Sequence, residues 1–68
     1  MTYEKFREVV NAFVRNLGTE FTPNFSHDHE VGQYIAIIDG DMVIKGNGTC
    51  KRLFATWNRG QHTTYIDV

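Results

Sequence analysis

The segment KGNGTCKRLF, Lys45 to Phe54, gathers two glycines, a cysteine, three basic residues and an aromatic. Four chemistries compete for it: a phosphate cradle, a nucleic-acid grip, a reactive thiol and a plain hairpin turn. A P-loop needs Lys-Ser/Thr directly after its last glycine, with a helix to follow. Here Thr49 and Cys50 follow Gly48, and the next segment alternates like a strand. "GNG" is therefore expected to turn a hairpin, since Asn and Gly tolerate the positive φ that tight hairpin turns use. Cys50 is the chain's lone cysteine. Lys51 and Arg52 beside it would favour the thiolate, and His62 is a base that could approach across the last two strands. Catalysis would also want an oxyanion site. A half-buried thiol without chemistry is the expectation.

The histidines invite a metal reading. In an extended segment His27 and His29 point to one side and Asp28 to the other, and His62 could supply a third imidazole. That spacing is compatible with zinc but common by accident, so "HDHE" is expected to be a solvated loop, with no metal or other cofactor. Asp39 and Asp41 flank Gly40. A glycosidase pair must line a cleft, which a tight turn does not offer, so these carboxylates are turn formers.

The basic–aromatic stretch carries more weight. Single-strand binders stack bases on aromatic rings and track phosphates with Lys and Arg. Phe54 shares a strand face with Arg52, and Tyr34, Trp57 and Tyr65 also fall in strands. Of nine aromatics, Tyr3, Phe6 and Phe13 belong to a helix and Phe21 and Phe25 to a loop. The remaining four must serve both faces of a sheet, so a nucleic-acid surface is thinly supplied.

The elements that position these residues follow from periodicity. Tyr3, Phe6, Val10, Phe13 and Leu17 recur at steps of three and four, with Val9 and Val14 widening the stripe, and predict a helix over 3–17. Thr2 can cap its start, and Glu4 suits the positive N-terminal end. Gly18 can take the left-handed conformation that ends a helix. Residues 19–31 show no sustained period. Pro23 and Asn24 suggest a turn, Phe21 and Phe25 anchor the loop, and a short strand could lie at 19–22. Strands are expected at 33–39, 42–45, 51–57 and 62–68, with turns at "DGD", "GNGT" and "NRGQ". Leu53, Ala55 and Trp57 share one face of the third; Arg52, Phe54 and Thr56 share the other. The expected fold is α+β in two layers: an N-terminal helix on a three- to four-stranded antiparallel meander, one domain over 1–68.

Composition bounds the function. Sixty-eight residues with 41% hydrophobic content suit a small globular domain. A single cysteine forms no intrachain disulfide and fits a reducing compartment. No apolar run approaches a membrane span, and the charged N-terminus is unlike a signal peptide, so a cytoplasmic protein without membrane contact is expected. The net charge is −1, yet residues 42–66 hold Lys45, Lys51, Arg52 and Arg59 with no acid. The expectation is a non-enzymatic protein that docks on a larger protein or nucleoprotein as regulator, inhibitor or accessory factor. Its size suits the inhibitors of host systems that phages and mobile elements encode. The expected contacts are Lys51, Arg52, Phe54, Trp57 and Arg59 on solvent-side strand positions, with the centre of the core as an equal alternative for Trp57, and with His27 and His29 as a second patch. The alternative is a single-stranded nucleic-acid binder using residues 45–59. A homodimer through an open sheet face or edge is a further solution to the exposed strands.

Overall fold

Thr2 starts the helix as its type predicts. Its hydroxyl accepts from the Lys5 amide at 3.1 Å, and its carbonyl accepts from the Phe6 amide at 3.0 Å. The computed structural model describes residues 1–18, 21–49, 51–57 and 62–67. Helix α1 runs Tyr3–Leu17, the span the periodicity predicts. Its buried line is Phe6, Val10 and Val14, with Tyr3, Val9 and Phe13 partly buried beside it and Leu17 exposed. Gly18 ends the helix differently from expectation. Its φ of 157° and ψ of 151° lie far from the left-handed helical region, and its amide donates to Val14 O at 3.1 Å. This extended, positive-φ conformation is one that side chains disfavour.

Five strands follow: β1 (Pro23–Asp28), β2 (Gln33–Ile38), β3 (Met42–Asn47), β4 (Arg52–Trp57) and β5 (His62–Asp67). They form one antiparallel sheet in the order β1-β2-β3-β4-β5. The protein is thus α+β, but with five strands instead of three to four. The added strand is β1. Pro23 and Asn24 do not turn the chain; they open an edge strand, where a proline without an N–H costs little. The expected strand at 19–22 is not found at Phe21 and Thr22, and its other residues lie outside those described. The turn at 58–61 and the last residue of the expected 62–68 strand lie outside them too.

The turns divide by chemistry. Asp39 and Gly40 both take positive φ, 55° and 68°, and the Asp41 amide donates to Ile38 O at 3.1 Å. That is the expected Asp-Gly hairpin turn. "GNG" behaves otherwise. Gly46 and Asn47 belong to β3, Gly46 is buried, and neither Asn47 nor Gly48 has a positive φ. The bend that follows is organised by the Asn47 side chain. Its Oδ1 accepts from the Thr49 amide at 2.9 Å and from the Thr49 hydroxyl at 3.0 Å, the local mimicry that makes asparagine a turn residue.

The register sorts the side chains into rows. One row under the helix layer is Phe25–Ala36–Ile44–Ala55–Thr64, flanked by Pro23–Ile38–Met42–Trp57–His62. Small Ala36 and Ala55 on either side of Ile44, all fully buried, let large and small side chains alternate in the packing. Tyr34 adds a polar tie: its hydroxyl donates to Met1 O at 3.1 Å, while the Met1 ammonium donates to Gly48 O at 2.5 Å. The start of the chain is thereby held against the β3–β4 connection.

Candidate docking surface

Helix α1 covers one face of the sheet and leaves the other open. Strand alternation gives the open face two complete rows: Ser26–Ile35–Lys45–Phe54–Tyr65 and Asn24–Ile37–Val43–Thr56–Thr63. Ile37 is 40% exposed, Phe54 48% and Tyr65 55%, while Ile35 and Val43 are partly buried. Five large apolar side chains therefore share a face on which no described element packs. A half-solvated antiparallel strand normally alternates apolar-in with polar-out. β2 breaks that rule, with Tyr34, Ala36 and Ile38 on the helix side and Ile35 and Ile37 on the open side.

Phe54 and Tyr65 are directly opposed on β4 and β5, with ring centroids 5.2 Å apart and planes at 74°. This edge-to-face geometry is the arrangement aromatic quadrupoles favour. The Arg52 guanidinium lies 5.3 Å from the Tyr65 ring centroid and bonds Asp67 Oδ1 through Nε at 3.1 Å. Lys45 is the cross-strand partner of Phe54 on its other side, exposed and, among the described residues, without an ion pair. Gln33, Lys45, Gly46, Asn47 and Phe54 line a hollow of about 260 Å³, smaller than the roughly 300–1,000 Å³ of ligand pockets.

The expected contact residues do not form one patch. Arg52 and Phe54 stand on the open face, with exposed Lys51 just before β4. Trp57 does not stand on the solvent side. It packs against the core from the helix side and lines a hollow of about 180 Å³ with Leu17, Phe21, Ile38, Asp39, Asp41 and Met42. Alternation with Leu53 and Ala55 puts it there. Arg59 and Cys50 lie outside the described residues.

His27 and His29 belong to the far edge of the sheet. Their rings are 4.0 Å apart. His27 stacks on Tyr3 at 5.1 Å and meets Tyr34 edge-on at 4.7 Å, so it packs against the helix start. His29 is exposed, and the Asp28 carboxylate accepts from the Glu30 amide at 3.0 Å. His62 cannot join them. It sits on β5, four strand spacings or about 19 Å from β1. Among the described residues no three His, Cys, Asp or Glu side chains are grouped to hold a metal ion, and no helix is long and apolar enough to cross a membrane.

No family model, curated protein or solved structure matches the chain. The contributions of Tyr65 and Lys45 to one row with Phe54 are what sequence reasoning lacks. The alternation within each strand is visible in the sequence, but the register that aligns three strands is not.

Proposed function

We propose that the chain is a non-enzymatic binding protein that docks on a larger macromolecule, as regulator, inhibitor or accessory factor, through the open face of its sheet. One observation carries this reading: Ile35, Ile37, Val43, Phe54 and Tyr65 share the face opposite the helix. Exposed apolar side chains rimmed by polar ones mark interaction sites. Here the rim is Ser26, Asn24, Thr56, Thr63 and the Arg52–Asp67 pair, and Lys45 stands between Ile35 and Phe54. Aromatic and arginine side chains suit such a role, because they combine large contact area with directed donors.

The non-enzymatic part of the proposal is supported by the modest volumes, about 180 and 260 Å³, of the two hollows found among the described residues, below the usual range of ligand pockets. A cytoplasmic setting fits a single thiol. The test compares three immobilised proteins in a lysate of the source cells: wild type, a Phe54→Ala/Tyr65→Ala variant, and a Glu8→Ala control on the solvent side of the helix. The proposal expects a macromolecule retained by wild type and control and lost by the open-face variant. Equal retention by all three would place docking elsewhere.

A further inference from the structure

We infer that the macromolecule this face takes is a single-stranded nucleic acid, its bases stacking on Phe54 and Tyr65 and its phosphates meeting Lys45 and Arg52. The inference rests on the docking role proposed for the same face and names its partner class.

The aromatic supply decides first. Of the five strand aromatics, Tyr34 is buried under the helix, and Phe25 and Trp57 pack against the core. Phe54 and Tyr65 both face solvent, on adjacent strands and in contact. Two exposed rings side by side on a sheet are what unstacked bases use. A duplex hides its base faces and offers such rings nothing.

The charges point the same way. Lys45 flanks Phe54 on β3, and Arg52 flanks Tyr65 on β4. From Lys45 to Tyr65 the row spans two strand spacings, about 10 Å. The face carries two acids, Asp28 and Asp67, beside Lys45 and Arg52. Asp67 is already held by Arg52, in an exposed pair weak enough to be exchanged for a phosphate, and Asp28 stands on the far edge strand. A second copy is a poorer occupant. Lys45 lies on the middle strand of the face, and a two-fold axis through that centre would bring the two ammonium groups together.

The experiment measures binding of labelled oligothymidylate and oligouridylate of about 16 nucleotides, a duplex of equal length, and polyphosphate. Each is measured at about 50 and 200 mM salt. The single strands should bind best. Two phosphate contacts predict about a sevenfold loss over that salt range. Phe54→Ala/Tyr65→Ala should weaken binding at least tenfold, and Lys45→Ala should flatten the salt dependence. Circular dichroism and unfolding of each variant check that it folds. The oligothymidylate and oligouridylate arms separate DNA from RNA.

No binding at the lower salt overturns the inference, as does equal binding of duplex or polyphosphate, or indifference to the aromatic double variant. Light scattering on the same samples separates this failure from that of the docking role. A wild-type dimer that the aromatic double variant dissociates would replace nucleic acid by a second copy and keep the face as an interface. Oligonucleotide binding unaffected by any open-face variant would remove both.

Discussion

Phe54 and Tyr65 face each other across β4 and β5 on the side of the sheet away from the helix, edge to face at 5.2 Å and about half exposed. These two large rings, left in water beside the exposed Ile37, set the terms for how the molecule responds to substitution.

Open-face and core substitutions should separate clearly in urea unfolding. Phe54→Ala removes a half-exposed ring and one aromatic pair, for a loss of about 1 kcal/mol. Ile44→Ala empties a fully buried site at the centre of the sheet, and about 2–5 kcal/mol is expected. A Phe54→Ala loss as large as that of Ile44→Ala would mean that the open face is part of the core.

The β2–β3 turn needs its backbone shape more than its charges. Gly40 has a φ of 68° and no atom within 4 Å of the position a Cβ would take, so Gly40→Ala meets no clash. It should still cost about 1–2 kcal/mol, the price of left-handed backbone for an L-residue. Asp39→Asn, which keeps a residue tolerant of positive φ, should change the thermal midpoint little.

The sequence makes some of this fold plain and hides the rest for physical reasons. Helix α1 is legible because Thr2 caps it, Gly18 stops it and apolar residues recur at steps of three and four. β1 is hidden because PNFSHD starts with proline and has no β-branched residue; only Phe25 and His27, partly buried between exposed Asn24, Ser26 and Asp28, betray a period of two. Gly46 hides the end of β3 by resembling a turn glycine. Within the candidate site, the sequence shows that Arg52 and Phe54 share a face. It does not show that Lys45 and Tyr65 flank Phe54, because that depends on register between strands. The sequence also disguises Trp57, whose type suits an interface and whose parity places it against the core.

The ties at the start of the chain should be modest and separable. Thr2→Ala removes the acceptor for the Lys5 amide and should cost about 1 kcal/mol. Tyr34→Phe keeps the ring against Phe6 and Tyr3 but removes the hydroxyl that donates to Met1 O, for about 0.5–1.5 kcal/mol. Chemical denaturation of each variant and of the pair reads both, and their effects should nearly add unless the two contacts share one rearrangement.

The Arg52–Asp67 pair should contribute little to stability. Its side chains are 56% and 82% exposed, and exposed pairs are worth about 0.2–1 kcal/mol. A double-mutant cycle on Arg52→Ala and Asp67→Ala should return a coupling in that range, smaller still in high salt. Asp67→Asn should instead show itself in binding. With its carboxylate partner neutralised, Arg52 is freer to meet phosphate, and oligonucleotide affinity should rise a few-fold.

The most direct measurement is an amide chemical-shift titration of the isotope-labelled protein with oligothymidylate. The account predicts perturbations at Lys45, Arg52, Phe54 and Tyr65 and their strand neighbours, with Glu8, Asn11 and Arg15 on the outer side of the helix unmoved. Perturbations centred on the helix or on the His27–His29 edge, or none at all, would contradict it.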